Sequence, residues 1–474
     1  MKPDVPLCVD LDGTLIKTDI LLESVLGLLK TQPSSILLIP FWLLKGKAFL
    51  KKAIADLVVV DVDSLPYHSE FLEFLHEEHK KGRKLILVTA TDVKVANQIA
   101  SHLGIFSEVI GSNGETNLSG KDKVDVLDRR FGRQGYDYAA DSYTDLKVWA
   151  HAHRAILVNA CQRLNNPVRN IVSVSREFND RQKFLPTFFR AIRLQQWAKN
   201  ALIFVPLIVS HNLTKPAPLL NALLAFLAFS LTASSVYLLN DLIDLETDRH
   251  HPTKRHRPFA AGDLSLKIGY VAIPCFFVGS LVIGLTLSLS FVLLLFIYFT
   301  LATTYSLYFK QFALVDVILL AGLYTLRIYA GGIAVSVVPS EWLLAFSMFI
   351  FLSLALLKRF SELGLIIQTN KDSVPGRGYG ASDLGYMANV GLICGCMAVL
   401  VLALYVSSKE VTVLYEQPNL LWLICPMMLY WITRAWLLAN RGQLDEDPLL
   451  FALRDRKSYV IAVTTGIIMI LASK

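Results

Sequence analysis

The chain has 474 residues, 54% of them hydrophobic, with a mean hydropathy of +0.47 and a net charge of +7. The length is too great for one ordinary domain, and the apolar content is typical of a membrane protein. The basic residues cluster beside apolar stretches, where membrane orientation and phosphate binding explain them, so nucleic acid is not expected as a partner. The six cysteines are scattered, so neither a zinc site nor a disulfide framework is predicted.

Apolar and charged residues are divided unevenly along the chain. Residues 1 to about 185 carry charge throughout, whereas long apolar stretches alternate with short charged loops from about residue 186 onward. The sequence therefore predicts two domains: a soluble one over residues 1–175 and a transmembrane one over 187–474, joined by a linker over 176–186.

An apolar strand near the start of the chain runs directly into Asp10 and Asp12, in the sequence LCVDLDGTL over residues 7–15. Asp10 would stand at the end of the strand as a nucleophile, and Asp12 would project from the same side as a general acid and base. This pattern resembles the haloacid dehalogenase superfamily, and the resemblance covers about residues 1–175. It implies a doubly wound α/β sheet with the active site at the carboxyl ends of the strands.

The rest of that superfamily's pattern follows in order. The apolar strand LILVT ends in Thr89, whose hydroxyl would hold a phosphoryl group, and Lys123 would neutralise it, with Lys121 as a nearby competitor. The segment AADSYTD over residues 139–145 supplies two further carboxylates. Carboxylate oxygens suit a hard cation. The resemblance thus implies a phosphatase whose Mg²⁺ is held by Asp10, Asp12, Asp141 and Asp145.

An α-helical cap is expected over residues about 20–80, inserted after the first strand. Its apolar stretch ILLIPFWLL, over residues 36–44, is too short to cross a bilayer. The stretch could close over the active site within the core or lie on the membrane surface, and core packing is the favoured interpretation. Residues about 160–186 are interpreted as a strand end followed by a linker to the first span.

About nine membrane spans are predicted in an all-α bundle, centred roughly on residues 201, 229, 278, 298, 325, 351, 396, 429 and 465. Lys and Arg are concentrated in alternate loops. The positive-inside rule then places the soluble half and the charged loops in the cytoplasm, and a bacterial plasma membrane is the expected location.

The segment NDLIDLETDRHHPTKRHRP, over residues 240–258, directly follows one apolar span. Asn240, Asp244 and Asp248 recur every four residues, so on a helix they share one face. A ladder of acids at the end of a membrane helix is costly unless it binds something. The basic block behind it would suit an anion, so carboxylates, a divalent cation and a polyphosphate could form one neutralising stack; the bases are Arg249, Lys254, Arg255 and Arg257.

Three further polar clusters are predicted to face the same side of the membrane as the acidic ladder. The first lies on one side of the first span, where it would line the interior of the bundle or snorkel to the interface. The second joins two adjoining spans, and the third ends the sixth span. Their members are Arg190, Arg193, Gln196, Lys199 and Asn200, then Tyr305, Ser306, Lys310, Asp316 and Arg327, then Lys358, Arg359, Glu362 and, in the loop, Arg377 and Tyr379. Arg327 sits deepest and needs either a protein partner or an anionic ligand.

The acidic motif resembles the first aspartate-rich motif of the UbiA superfamily of intramembrane prenyltransferases, and the resemblance covers about residues 187–474. It is most similar to the branch that transfers phosphoribose to a polyprenyl phosphate, through the motifs QWAKN, YSLYFK, Gly331-Gly332, KRFSE and, over residues 451–456, FALRDR. Members that use prenyl diphosphates carry a second aspartate-rich motif in the later helices, where this chain has a single Asp316. The resemblance implies phosphoribosyl pyrophosphate as donor, a polyprenyl phosphate as acceptor, and a role in cell-envelope biosynthesis.

Roles follow from that resemblance. Mg²⁺ and the donor pyrophosphate would bind at Asn240, Asp241, Asp244 and Asp248, with Asp244 and Asp248 catalytic. The leaving pyrophosphate would be neutralised by Lys254, Arg255 and Arg257, and the lipid phosphate held by Lys310, Arg193 and Arg327. The other substrate-binding candidates are Lys199, Asn200, Tyr305, Asp316 and Lys358. The phosphatase could remove the 5′-phosphate from the lipid-linked ribose, or act on a soluble metabolite.

Two alternatives stay open at this point. One keeps the same Mg²⁺-diphosphate site but transfers a prenyl group from its diphosphate to an aromatic or lipid acceptor. The other is a transporter or lipid-binding protein regulated by the soluble domain, which is disfavoured because no internal repeat of the kind many transporters have is apparent. The polyprenyl chain length and the oligomeric state do not follow from the sequence.

Overall fold

A computed structural model describes residues 5–367, 378–409, 411–444, 448, 451–452 and 455–473. The chain forms two compact units, one of Met1–Ile192 with Tyr237–Ile273, the other of Arg193–Val236 with Pro274–Lys474. Residues 237–273, which contain the acidic motif, thus group with the N-terminal half of the chain rather than with the membrane helices.

The first unit is built on one parallel sheet of six strands. The strands lie in the order β3-β2-β1-β4-β5-β6, and their bounds are Leu7–Val9, Leu85–Asp92, Glu108–Ser112, Asp137–Ala140, Arg154–Val158 and Val174–Phe178 for β1 to β6. Side chains alternate between the two faces, so Leu7 and Val9 join one apolar core and Cys8 the other. The strand order reverses between β1 and β4, where a doubly wound sheet opens a crevice at its carboxyl edge.

Helices cover this sheet and form the cap. Their bounds are Ile20–Thr31 (α1), Ile39–Leu44 (α2), Lys47–Leu57 (α3), Ser69–Lys80 (α4), Val93–Leu103 (α5), Lys121–Phe131 (α6), Leu146–Trp149 (α7), Gln162–Arg169 (α8) and Phe184–Ala191 (α9). The cap is the hairpin of α1, the 3₁₀ turn Pro33–Leu38, α2 and α3. Its α1 is capped by Asp19, whose carboxylate accepts the Leu22 backbone N–H at 3.3 Å.

The favoured core packing of residues 36–44 holds for one face only. Ile36, Ile39 and Trp42 pack against a buried cluster that includes Leu28 and Leu50. The other face is open: Leu37, Phe41 and Leu44 are 75%, 63% and 85% exposed. A short helix whose two faces are both apolar can bury only one of them against a single neighbouring layer.

The remaining helices are mostly long and apolar. Their bounds are Val205–Val209 (α10), Pro216–Ile243 (α11), Leu245–His250 (α12), Leu266–Leu287 (α13), Leu289–Leu307 (α14), Val315–Ala334 (α15), Glu341–Ile367 (α16), Leu384–Val406 (α17), Val411–Leu414 (α18), Ile424–Asn440 (α19) and Arg456–Ala472 (α20). Among the described residues, seven segments are long and apolar enough to cross a membrane, where nine spans were predicted.

The two other predicted spans take different forms. The segment around residue 201 is divided: Arg193 has a positive φ of 54°, Leu194–Phe204 forms 3₁₀ turns, and Pro206 opens the short α10. Asn200 of this segment is buried, whereas Gln195 is exposed and Gln196 and Lys199 are half-buried. The segment around residue 465 is α20, a single helix of 17 residues, which is at the lower limit of a bilayer span.

Gly331 of the Gly331-Gly332 motif is explained by close packing within the second unit. A Cβ added to Gly331 would overlap the carbonyl oxygen of Ile203, whereas one added to Gly322, on the same helix α15, would meet nothing within 4 Å. We expect Gly331→Ala to lower the free energy of unfolding by about 1–3 kcal/mol, because overpacking forces the backbone apart. Thermal unfolding in detergent measures this.

Gly322→Ala is the matched control for that substitution. It makes the same chemical change in the same helix, and since alanine favours helix it should leave stability unchanged or raise it by up to about 1 kcal/mol. Equal unfolding temperatures for the two variants would show that the contact with Ile203 is not tight.

Candidate functional site

Three carboxylates meet at the carboxyl edge of the sheet, where the strand order reverses. Asp10 directly follows β1, Asp141 directly follows β4, and Asp145 ends the short 3₁₀ turn after it. Each offers one oxygen to a group whose atoms all lie within 4.8 Å of one another. Gly13, with φ +79°, passes so close that an added Cβ would stand 2.5 Å from an Asp141 carboxylate oxygen. Only glycine fits there.

Lys123, not Lys121, reaches this cluster. The Lys123 ammonium lies 3.0 Å from an Asp10 oxygen and 3.7 Å from an Asp145 oxygen, and it donates to the Tyr138 hydroxyl at 2.8 Å. Lys121 is exposed at the start of α6, because two residues along a helix turn a side chain to a different face. Burial alone would lower the pKa of Lys123, but the Asp10 and Asp145 carboxylates raise it above its usual value.

The acids of this site are held close together and away from water. Burial, with the neighbouring carboxylates, raises the pKa of Asp10 and of Asp141 to about 7 each. One ammonium among three converging carboxylates leaves an excess of negative charge. An oxygen-only set of this kind fits Mg²⁺, whose charge would stabilise the ionised carboxylates. The predicted ligands Asp10, Asp141 and Asp145 are therefore brought together.

Asp12 lies beside the other three but is bound by different groups. Its carboxylate accepts the backbone N–H of Ile20, the first residue of α1, at 2.8 Å and the Thr91 hydroxyl at 2.7 Å. Burial raises its pKa to about 6, so a protonated form is available near neutral pH. Thr89 is fully buried and its hydroxyl accepts the Thr91 N–H at 3.0 Å. The sequence motifs did not predict that Thr91 contacts Asp12.

The acidic motif lies where α11 gives way to α12. The backbone bonds from Asp244 N to Asn240 O and from Asp248 N to Asp244 O, both 2.8 Å, carry the helical pattern through the junction. The four-residue spacing selected Asn240, Asp244 and Asp248, but the two carboxylates that share the Arg257 guanidinium are those of Asp241 and Asp248. Asp241 and Asp248, each 2% exposed, accept from the same Arg257 nitrogen at 3.1 and 2.5 Å.

Arg257 shows that the two carboxylates converge on one positive charge. Residues seven apart return to the same helix face after two turns, which is why Asp241 and Asp248 meet. Burial raises the pKa of Asp248 despite the adjacent guanidinium. Among the described residues, only the Asp10 cluster has three ligand atoms close enough together for one ion. Asp241 and Asp248 fit a cation as a pair, with the remaining oxygens of its shell to come from elsewhere.

The basic block of the motif divides into three roles. Lys254 and Arg255 lie exposed in the 3₁₀ turn Lys254–His256, and Arg257 is bound to the acids. Arg249, which the sequence suggested for an anion, is instead engaged with the cap: its guanidinium donates to both Glu23 oxygens at 2.9 and 2.5 Å. The two side chains are 6% and 9% exposed, so this is a buried pair.

In the second unit, Arg327 has protein partners. It donates to the Asn200 side-chain oxygen at 2.8 Å, the Tyr298 hydroxyl at 2.9 Å and the Leu323 carbonyl at 2.5 Å, and Tyr324 lies beside it at 5.1 Å. Its side chain is buried. A buried arginine needs such partners in the membrane. Of the two explanations left open for Arg327, a protein partner is therefore the one observed.

Asp316 lies in a second buried network, centred on a residue that was not chosen as a site residue. Arg359 donates to Asp316 at 2.6 Å, to the Tyr305 hydroxyl at 3.0 Å and to Glu362 at 2.5 Å. Tyr379 donates to the other Asp316 oxygen at 2.7 Å. The sequence selected the adjacent Lys358, which is half-buried. Neighbours on a helix point about 100° apart, and only the packing of α16 decides which of them faces inward.

The remaining substrate-binding candidates lie in the second unit. Arg193, Lys199, Lys310 and Lys358 are half-buried. Arg377 and, within FALRDR, Leu453 and Arg454 lie outside the described residues, so those motifs are only partly observed.

Comparison with known proteins gives two families. Residues 203–454, more than half of the chain, match the UbiA prenyltransferase family. The chain belongs to the UbiA prenyltransferase family. Residues 7–149 match haloacid dehalogenase-like hydrolases, so this UbiA protein carries a dehalogenase-like domain at its N-terminus.

Three curated relatives are similar to this UbiA protein over different shares of its length. The uncharacterized protein y4nM of Sinorhizobium fredii is 36% identical over 99% of this chain and 91% of its own length. Nodulation protein NoeC of Azorhizobium caulinodans is 34% identical over 60% of this chain and 93% of its own. Decaprenyl-phosphate phosphoribosyltransferase of Mycobacterium tuberculosis is 36% identical over 38% of this chain and 61% of its own.

Proposed function

We propose that this protein transfers 5-phosphoribose from phosphoribosyl pyrophosphate to a polyprenyl phosphate, and that its dehalogenase-like domain then removes the 5′-phosphate. The observation that carries the first step is the 36% identity to decaprenyl-phosphate phosphoribosyltransferase over 186 residues. The convergence of Asp241 and Asp248 on the Arg257 guanidinium supports it, because it provides acids for a cation and a base for a diphosphate.

In the transfer, the bond between ribose C1 and the pyrophosphate oxygen breaks, and C1 bonds to an oxygen of the lipid phosphate. Mg²⁺ bound at the acidic motif would supply positive charge to the donor's pyrophosphate. Asn240, Asp241, Asp244 and Asp248 are assigned to hold it, and Arg257, with Lys254 and Arg255, to neutralise the pyrophosphate as it leaves. The lipid phosphate is already anionic, so it needs positioning more than a strong base.

Contacts in the second unit reduce the number of residues proposed to bind the lipid phosphate. Lys310 and Arg193 stay candidates for the lipid phosphate, whereas Arg327 and Asn200 are engaged with each other. Asp316 is bound to Arg359 and Tyr379. The chain has the single Asp316 where members that use prenyl diphosphates carry a second aspartate-rich motif, which favours a phosphorylated lipid over a second metal-bound diphosphate.

For the hydrolase, Asp10 is assigned as the nucleophile that takes the phosphoryl group and Asp12 as the acid that protonates the leaving 5′-oxygen. Asp12 would then act as a base toward water, which attacks the phosphoryl group on Asp10 and releases inorganic phosphate. Lys123 and Thr89 would bind the phosphoryl oxygens. Mg²⁺ at Asp10, Asp141 and Asp145 would offset the charge that gathers there. Loss of the 5′-phosphate is hard to reverse and would draw the transfer forward. Both sites are assigned to the cytoplasmic side of the membrane.

The test of this proposal uses the purified full chain in detergent with Mg²⁺ and a polyprenyl phosphate. Labelled phosphoribosyl pyrophosphate is added to one sample and a labelled prenyl diphosphate to another, and the lipids are analysed by mass spectrometry. A ribosylated lipid in the first sample alone is the expected result. A prenylated product in the second sample alone would establish prenyl transfer, which the UbiA membership favours as the second candidate. If neither sample forms product, the transferase proposal fails.

A further inference from the structure

The cap carries an apolar surface that its own fold does not use. This outer face, defined as Leu37, Leu38, Phe41, Leu43 and Leu44, lies on the 3₁₀ turn and α2. The five side chains are between 45% and 85% exposed, with Leu38 the least and Leu44 the most exposed. The inner face of the same segment is buried against α1 and α3, so packing within the hairpin accounts for Ile36, Ile39 and Trp42 but leaves the outer face unexplained.

The direction of α1 relative to α13 indicates on which side of the domain the outer face lies. Lys267 lies 3.3 Å from Asp19, and the Tyr270 hydroxyl donates to the Leu22 carbonyl at 3.2 Å. Both chains thus advance by three residues in the same sense, so α1 runs parallel to the start of α13. Since α13 proceeds from Leu266 into an apolar span, α1 points its C-terminal end the same way.

A second register gives the same direction independently. Glu23 of α1 binds Arg249 of α12. About two turns further along α1, the Lys30 ammonium lies 3.5 Å from the Glu246 carboxylate, which comes earlier in α12. Hence α1 runs antiparallel to α12, the helix that follows the apolar α11. The twelve residues of α1 extend about 18 Å toward the end where the chain leaves one span and enters the next, and the outer face comes directly after them.

The charges around the outer face also select a partner. No acid lies between Ser24 and Ala55. Of the five lysines in that stretch, Lys30 is paired with Glu246 and Lys51 donates to Ala90 and Asn117, so the outer face is bordered by Lys45 and Lys47. Lys45 and Lys47, which directly follow α2, are exposed. An apolar face bordered by lysines is the composition of segments that lie in the interface of a membrane with anionic lipids.

We propose that the outer face of the cap docks into the interfacial region of the same bilayer that the chain's own helices cross. Leu37, Phe41 and Leu44 would sit about 5–10 Å into the boundary between headgroups and acyl chains, with Lys45 and Lys47 at the phosphates. The occupant is lipid, because two registers aim α1 at the membrane and the flanking charge is uniformly positive.

Spin labels on the full chain test this in nanodiscs that contain phosphatidylglycerol. Cys161, Cys275 and Cys396 are replaced by serine, because the other three cysteines are buried, and Leu44→Cys is then labelled. The measurement is the accessibility of the label to oxygen, which concentrates in lipid, and to a nickel chelate, which stays in water. The ratio of oxygen to nickel accessibility should be several-fold higher at position 44 than at an aqueous position.

Val59→Cys in the same background is the matched aqueous control. Val59 is 86% exposed, as Leu44 is 85% exposed, but it stands two residues before Asp61, which binds His250 at the far end of α12. The lipid reference is a variant in which Cys161 and Cys396 are replaced but Cys275, exposed on α13, is kept and labelled. A label at position 44 that behaves like the one at 275 supports docking. Behaviour like that at 59 places the face in water, and exclusion of both reagents places it under protein; either result overturns the proposal.

Discussion

Asp248→Asn should lower the rate of lipid ribosylation by about 10²-fold or more, because it removes one of the two carboxylates that converge on Arg257 and are proposed to hold the cation. The substitution keeps the size of the side chain and its ability to bind Arg257 through the amide oxygen, so folding should survive. The measurement is the initial rate of labelled lipid formation by the purified chain, alongside its unfolding temperature.

Glu246→Gln is the matched control for Asp248→Asn. It makes the same acid-to-amide change on the same short helix α12, but Glu246 is exposed and lies 3.5 Å from Lys30. Its rate should stay within about twofold of the parent, since exposed ion pairs contribute little. If the two variants lose activity equally, α12 matters for its charge or its fold, and the assignment of Asp248 to the reaction is wrong.

Asp10→Asn should leave the transfer intact and block the second step, so that the lipid product keeps its 5′-phosphate. The amide cannot attack phosphorus, and loss of the nucleophile should lower hydrolysis by about 10³-fold or more. Mass spectrometry of the lipid distinguishes the two products directly, and a soluble aryl phosphate reports on the hydrolase site without the lipid.

Asp122→Asn serves as the control in the same domain, because Asp122 is exposed on α6 beside the buried Lys123. It should give the dephosphorylated lipid, as the parent does. Two results would contradict these assignments, one for the coupling of the steps and one for the role of Asp10. Identical phosphorylation of the lipid in the Asp10 variant and the parent would show that the hydrolase acts on another substrate. Retained hydrolysis of the aryl phosphate would remove Asp10 from the nucleophile's role.

The proximity of Asp10, Asp141 and Asp145 was largely predictable because these residues are tied to strand ends. Asp10 and Asp141 each follow a parallel strand directly, and neighbouring parallel strands end at the same edge, so their proximity follows from their order in the chain. What the sequence left open was a matter of helical phase. Lys121 and Lys123 are two residues apart on α6, and only the packed helix shows that Lys123 turns inward to Asp10.

The acidic motif was predictable in place but not in pairing. A four-residue spacing selected Asn240, Asp244 and Asp248, whereas Arg257 joins Asp241 to Asp248. The same limit applies to Lys358 and Arg359, since adjacent helical residues are equivalent until a partner such as Asp316 is known. The bond between Glu23 and Arg249 spans 226 positions of sequence, and no local pattern encodes it.

That bond bears on how the protein can be divided. A cut after Ile192 puts Glu23 in one fragment and Arg249 in the other, and each fragment would then expose a formerly enclosed charge together with the apolar surroundings of Leu26 and Leu242. Either fragment produced alone should be poorly soluble or misassembled, while co-expression should restore a complex by complementation. The dehalogenase-like domain and the UbiA domain are thus joined by a buried ion pair as well as by the linker between them.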